Sequence, residues 1–111
     1  MKRIKKLDCF SLEDILKEDK CLLVLSNSNC DACKQWVQKI NKGLQEETLP
    51  MHIEYGKLDI NQKGLISFRR ENPWVEKAIF LPYTALLLEG VFTGGFIGAD
   101  YEELQNLLER V

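Results

Sequence analysis

The sequence has little histidine, little excess charge and no long apolar run, and each shortage argues against a class of function. His52 is the single histidine among 111 residues, so the four Cys, His or carboxylate ligands of a zinc site are difficult to assemble. The formal net charge is −2, whereas proteins that bind nucleic acids or anionic membranes need a basic excess. No apolar stretch approaches the length of a membrane-spanning helix.

The N-terminal segment also lacks the apolar stretch of a secretory signal. Its opening residues, MKRIKK, are basic, but acidic residues interrupt every apolar window that follows. We therefore expect a cytoplasmic protein with a single domain over residues 1–111 and no repeat or linker. Paired cysteines in a reducing compartment are more often catalytic or metal-binding than structural.

Apolar periodicity predicts helices that alternate with strands, as in a three-layer α/β sandwich with a mixed sheet. Ser11 with Asp14, and Asp100 with Glu103, have the spacing of capping boxes, and Asn61 is the predicted cap of a short helix. A Gly-Gly pair predicts a bulge or a close approach in the last strand. The predicted elements are a helix at 12–19, strand 21–26, helix 30–45, strand 53–60, short helix 65–68, strand 83–88, strand 91–97 with its Gly94–Gly95 pair, and helix 101–111.

Cys30 and Cys33 form a CxxC motif where the apolar run 21–25 gives way to a helix. Residues three apart share one face of a helix, so the two sulfur atoms can form a bridge. The helix N-terminus favours a thiolate at Cys30, the predicted nucleophile, while Cys33 is predicted to resolve the mixed disulfide. The alternatives are a cysteine pair without redox function and a zinc site. Cys9 and Cys21 flank a helix of about 12 Å, so we predict that they are unbridged core residues.

Four segments of the sequence, one of which contains the CxxC motif, are informative because of the order in which they occur. They are LVL at 23–25 leading into CDACK at 30–34, KLDINQ at 57–62, Leu81-Pro82 before TALLL at 84–88, and Gly98-Ala99. In this order they resemble the thioredoxin family over most of the chain. The resemblance implies a thioredoxin-like α/β/α sandwich with a central mixed β-sheet, and thiol–disulfide exchange without a bound cofactor. It also implies a cis peptide bond before Pro82, and a substrate peptide that pairs with the backbone of Leu81.

The motif itself departs from the family's Trp-Cys-Gly-Pro-Cys. Asn29 stands in place of the tryptophan, so the rim that contacts substrate is expected to be more polar. Asp31 opposes a thiolate at Cys30 by Coulomb repulsion, although its charge also favours the first helical turn. Ala32 adds a backbone N–H that a proline would lack. Because these effects oppose each other, the direction of electron flow is not predicted.

Val24 occupies the position of the family's buried aspartate, which is thought to help deprotonate the resolving cysteine. Lys57 aligns with the lysine that accompanies that aspartate, and it either extends to solvent or favours a thiolate at Cys33. Among the aromatic residues, Trp36 is predicted to lie in the core. Trp74 is predicted to be a packed side chain, with partner contact as the alternative.

These features predict an enzyme, a thiol–disulfide oxidoreductase that reduces or exchanges protein disulfides through Cys30 and Cys33. Its electrons would come from a reductase or a small thiol. A monomer is expected, with no metal, nucleic acid or membrane as partner. The alternative is a thioredoxin-like binding or accessory module with weak or no general reductase activity, which Val24 and the altered motif support.

Overall fold

A five-stranded mixed sheet organises the fold. The computed structural model describes residues 2–111. The sheet order is β1-β3-β2-β4-β5; β1, β3 and β2 run parallel, and β4 runs antiparallel to both β2 and β5. The strands are β1 (Lys5–Leu7), β2 (Lys20–Ser26), β3 (Glu54–Asp59), β4 (Tyr83–Leu88) and β5 (Val91–Ile97).

Helices cover both faces of this sheet and confirm the predicted sandwich. They are α1 (Cys9–Leu16), α2 (Asp31–Gln45), α3 (Ile66–Glu71) and α4 (Tyr101–Leu108), with a 3₁₀ segment at Pro73–Lys77. Residues of β2 alternate between two cores, since Val24 packs with α2 and α4 while Leu25 packs with α1 and α3. A strand buried on both faces reads as a continuous apolar run. Within the described residues, no helix is long and apolar enough to cross a membrane.

The first helix begins earlier than predicted because Asp8, not Ser11, is its N-cap. Asp8 Oδ1 accepts hydrogen bonds from the backbone N–H groups of Phe10 (3.0 Å) and Ser11 (2.8 Å), and Ser11 Oγ accepts from Asp8 N at 2.8 Å. Ser11 is therefore the third helical residue of the capping box. These bonds to Ser11 hold the pKa of Asp8 below its ordinary value.

Two further local predictions need correction. Asn61 does not cap α3, which begins after Leu65 without a side-chain cap. The Asn61 N–H instead donates to Asp59 Oδ1 at 2.8 Å. The strand β1 was not predicted, because its three residues include only one buried side chain and carry no periodic signal.

The C-terminal half follows the prediction closely. Strands β4 and β5 have the predicted bounds, and Asp100 caps α4 by accepting a hydrogen bond from Glu103 N at 3.1 Å. The register of β4 and β5 shifts between Leu86 and Leu87, which is the irregularity predicted at the Gly-Gly pair. A Cβ on Gly95 would lie 2.6 Å from the carbonyl oxygen of Thr84, so the close approach is confirmed as well.

Candidate active site

Cys30 and Cys33 lie at the junction of β2 and α2 and form a disulfide, with their Cα atoms 5.2 Å apart. Cys30 is the N-cap of α2, and its extended backbone turns the chain into the helix (φ −100°, ψ 101°). Its Sγ accepts a hydrogen bond from the Cys33 N–H at 3.1 Å. Cys30 is half-buried, whereas Cys33 is only 2% exposed. Cys30 is therefore the more exposed of the two cysteines.

Polar residues surround Cys30 on the side of the loop that follows β2. Asn27 shapes this loop, since its carbonyl accepts from Cys30 N (3.3 Å) and its Oδ1 accepts from Asn29 N (3.0 Å). Asn29, Asp31 and Ala32 are all exposed. Asp31 lies in the first turn of α2, where a carboxylate interacts favourably with the helix dipole.

The predicted cis peptide bond between Leu81 and Pro82 is present. Leu25, near the end of β2, pairs with Tyr83, the first residue of β4. Pro82 therefore lies at the same end of the sheet as the loop that leads from β2 into Cys30. The Pro82 carbonyl accepts from Gly98 N at 2.9 Å. This part of the predicted site is therefore assembled by strand pairing.

Two exposed apolar side chains precede Pro82 and were not predicted from the sequence. Ile79 and Phe80 are exposed, at 72% and 68%, in the segment between the 3₁₀ helix and β4. Two large apolar residues in a segment with neither helical nor strand periodicity are the sequence signal that could have identified them. The segment that leads into Pro82 is therefore apolar at its surface, in contrast to the polar loop that precedes Cys30.

A cleft of about 510 Å³ reaches Cys33. Its lining includes residues of β1 and β3, which lie on the opposite side of β2 from β4. Lys57 lines it, and strand register places Lys57 beside the fully buried Val24. Lys57 therefore lies on the face of the sheet that α2 covers, and its effect on the Cys33 thiol stays a prediction. Charged residues of both signs line the cleft: Lys6, Asp8, Lys34, Lys57 and Asp59.

The other predicted residues lie outside the site. Cys9 and Cys21 are unbridged, as predicted, but only Cys21 is buried, whereas Cys9 is partly buried at the margin of the core. Burial raises the pKa of the Cys21 thiol to about 12, with smaller contributions from Glu18 and Glu54. Trp74 is buried and stacks on Phe92 with ring centroids 5.1 Å apart. Within residues 2–111, no group of three His, Cys, Asp or Glu side chains is placed to hold a metal ion.

The fold was compared with known proteins. No protein-family model and no curated protein sequence matches the chain. Among solved structures, the long form of spinach chloroplast thioredoxin f matches with a TM-score of 0.75 and 23% identity, over 97% of this chain and 85% of that one. The oxidised mitochondrial thioredoxin 3 of Saccharomyces cerevisiae matches with a TM-score of 0.72 and 20% identity, over 97% and 95%.

A thioredoxin of Nicotiana alata gives a TM-score of 0.72 at 17% identity, over 98% of this chain and 92% of that one. All three likenesses extend over nearly the whole of the described chain. The chain therefore has the thioredoxin fold, with a CDAC disulfide at the start of its second helix.

Proposed function

We propose that this protein is a thiol–disulfide oxidoreductase of the thioredoxin family, acting on protein disulfides through Cys30 and Cys33. The observation that carries the proposal is the disulfide at the N-terminus of α2, with one sulfur accessible and the other buried. A helix N-terminus stabilises negative charge, so Cys30 is suited to react as a thiolate.

In the reducing direction, the Cys30 thiolate attacks one sulfur of a substrate disulfide. A mixed disulfide forms and the first substrate thiolate leaves. The Cys33 thiolate then attacks Cys30 Sγ, so the Cys30–Cys33 disulfide forms and the second substrate thiolate leaves. Two electrons pass from the dithiol to the substrate, and a reductase or a small thiol restores the dithiol. The same steps in reverse would oxidise a substrate dithiol.

We assign substrate binding to Asn29, which precedes Cys30, and to Leu81 and Pro82, which precede β4. The backbone of Leu81 makes no hydrogen bond to another backbone group within residues 2–111, so it is available to an extended peptide. Asp31, Ala32 and Lys57 are assigned to tuning of the two thiols. We further propose that the protein acts as a monomer and that the reaction takes place in the cytoplasm, as expected from the sequence.

The test is reduction of insulin disulfides by dithiothreitol, catalysed by the wild type, Cys30→Ser and Cys33→Ser. We expect activity in the wild type alone. Pre-reduced Cys33→Ser, mixed with insulin after dithiothreitol has been removed, should in addition accumulate a mixed disulfide visible by mass spectrometry, because no second thiol is present to release its Cys30. A wild type that is no faster than dithiothreitol by itself, together with a Cys33→Ser variant that forms no mixed disulfide, would favour the accessory module.

A further inference from the structure

The Cys33 thiol has to lose a proton before it can attack a mixed disulfide, because the thiolate is the nucleophile. Cys33 is only 2% exposed. One turn further along α2, Trp36 and Val37 are buried in the same core as Val24. The valines are hydrocarbon side chains and the indole N–H is a donor only, so none of these three residues can accept the proton. The cleft that reaches Cys33 is a polar route to this thiol.

The cleft opens to solvent and is large enough for water. Its volume is about 510 Å³, whereas one water molecule occupies about 30 Å³ in the liquid. Charged side chains line it from β1, from the cap of α1, from α2 and from β3, and they are Lys6, Asp8, Lys34, Lys57 and Asp59. Asp31 is exposed in the first turn of α2. Lysine ammonium groups are donors, so Asp8 and Asp59 are the side chains of the cleft that can take up a proton.

Hydrogen bonding distinguishes these two carboxylates. Asp8 Oδ1 accepts from Ser11 N at 2.8 Å, from Ser11 Oγ at 3.0 Å and from Phe10 N at 3.0 Å. These bonds, first those from Ser11, hold the pKa of Asp8 below its ordinary value, which makes Asp8 a poor proton acceptor. Within residues 2–111, the Asp59 carboxylate accepts a single hydrogen bond, from Asn61 N to Oδ1 at 2.8 Å. Asp59 Oδ2 is therefore available to water in the cleft.

Strand register places Asp59 on the same face of the sheet as α2. Lys57 is paired with Val24, and Asp59 is paired with Ser26, the last residue of β2. Alternate residues of a strand share a face, and Val24 packs in the core beneath α2. Asp59 therefore lies on the α2 face, one step beyond Lys57 towards the end of the sheet where β2 leads into Cys30.

We propose that Asp59 is the proton acceptor for Cys33 when the mixed disulfide is resolved, and that water in the cleft carries the proton between them. The proton of Cys33 Sγ–H passes to the Asp59 carboxylate, and the thiolate then attacks Cys30 Sγ. The bond from Cys30 to the substrate breaks, and the substrate leaves as a thiolate with the electron pair of that bond. Asp59 then releases its proton to solvent. This proposal adds a residue to the proposed oxidoreductase reaction and rests on that function.

The test measures the resolving step by itself, in a Cys9→Ser parent that lacks the half-buried thiol of Cys9. Pre-reduced protein, freed of reductant, is mixed with excess dithiobis(nitrobenzoate) in a stopped-flow spectrophotometer. Attack by Cys30 releases a first thionitrobenzoate at a rate that rises with the reagent concentration. Attack by Cys33 on the mixed disulfide releases a second thionitrobenzoate, and the rate of this second phase is independent of concentration because the step is intramolecular.

Asp59→Asn should slow the second phase at least about tenfold near neutral pH, because general base catalysis commonly contributes this much or more. Loss of a negative charge near Cys33 would by itself favour the thiolate and speed this phase. The sign of the effect therefore separates proton transfer from electrostatics. The deficit should shrink as pH rises, because the thiol then ionises without a base. The first phase should be unchanged, since it depends on Cys30.

The chain offers a matched control in Asp8→Asn. This variant neutralises the other carboxylate of the cleft, while asparagine still suits an N-cap, so its second phase should keep the parent rate. Asp59→Glu retains a carboxylate at the end of β3 and should be clearly faster than Asp59→Asn in the second phase.

Several results would overturn the role of Asp59 and leave the oxidoreductase function intact. They are a second phase in Asp59→Asn that is unchanged or faster, a slowing that is equal at every pH or shared by the first phase, an equal slowing in Asp8→Asn, and an Asp59→Glu variant no faster than Asp59→Asn. A parent protein that releases no thionitrobenzoate, or that shows no second phase, contradicts the proposed function itself and the role of Asp59 with it.

Discussion

Trp36 Nε1 donates a hydrogen bond of 3.0 Å to Thr84 Oγ1 in the interior of the protein. Trp36 lies one turn after Cys33 in α2, and Thr84 lies in β4 shortly after Pro82. Thr84 is the one buried polar residue in the described part of the chain, and Trp36 is 1% exposed. The bond therefore joins the element that carries the disulfide to the element that carries the cis-proline.

Removal of this acceptor should destabilise the protein. Thr84→Val leaves the buried Trp36 N–H without a partner, which costs about 1–3 kcal/mol. We expect this loss in the free energy of unfolding of the oxidised protein, measured in urea. Thr84→Ser keeps the hydroxyl and should lose less, so equal losses in the two variants would show that the bond itself contributes little.

The sequence predicted the elements whose signal is local. The continuous apolar run of β2 and the helical spacing from Cys33 to Leu44 need no partner to be recognised, and both elements formed as expected. The strand β1 is recognisable only through its pairing with β3. The spacing of Ser11 and Asp14 predicted the wrong N-cap, because Asp8 three residues before Ser11 suits an N-cap equally well.

Some features of the candidate site have a local sequence signal, and others do not. The CxxC spacing and the proline before β4 are local, and their juxtaposition followed from the family resemblance. The bond from Trp36 to Thr84 joins residues far apart in sequence, and Ile79 and Phe80 are exposed although both are large and apolar. Such relationships arise from tertiary packing, for which a single sequence has no periodic signal.

The two unbridged cysteines should differ strongly in reactivity. The pKa of the Cys21 thiol is raised to about 12, first by burial and then by Glu18 and Glu54, so it stays protonated at mildly alkaline pH. Because the thiolate is the reactive form, iodoacetamide should label the half-buried Cys9 of the native, oxidised protein at least about a hundredfold faster. Peptide mass spectrometry measures both rates. Similar rates before unfolding would contradict the burial argument, while in urea both cysteines should react.

Lys57 should favour the thiolate of Cys33 across the cleft that both residues line. In a Cys30→Ser background, Lys57→Met should raise the pH at which half of the Cys33 thiol is ionised, because the substitution removes a positive charge that favours the thiolate. Thiolate absorbance against pH measures this midpoint. Lys20→Met, at the opposite end of β2, is the control. An unchanged midpoint in Lys57→Met would mean that the lysine only extends to solvent.

Glu54 should stabilise the fold at neutral pH and not in acid. Lys2 Nζ lies 2.9 Å from Glu54 Oε2 and Lys5 Nζ lies 3.2 Å from Oε1. The hydrogen bond from Lys2, followed by that from Lys5, keeps the pKa of Glu54 below its ordinary value despite partial burial. A depressed carboxyl pKa adds stability above the unfolded-state pKa, and this stability is lost as pH falls through the folded-state value.

Glu54→Gln should therefore unfold more easily than the wild type at neutral pH, by up to about 1 kcal/mol. The difference should disappear by about pH 2, where the carboxyl is protonated in both states. Urea titrations at a series of pH values measure it. A difference that is constant across this range would point to packing instead of charge.

Gly95 should tolerate no side chain, whereas its neighbour Gly94 should tolerate a small one. A Cβ on Gly95 would lie 2.6 Å from the Thr84 carbonyl oxygen and 2.7 Å from Tyr83 Oη, so the paired strand would have to move. Overpacking of this kind costs about 1–3 kcal/mol. A Cβ on Gly94 would meet chiefly the end of the flexible Arg110 side chain, which can move away. We therefore expect Gly95→Ala to lose clearly more unfolding free energy in urea than Gly94→Ala, and the reverse order would contradict the close approach of β5 to β4.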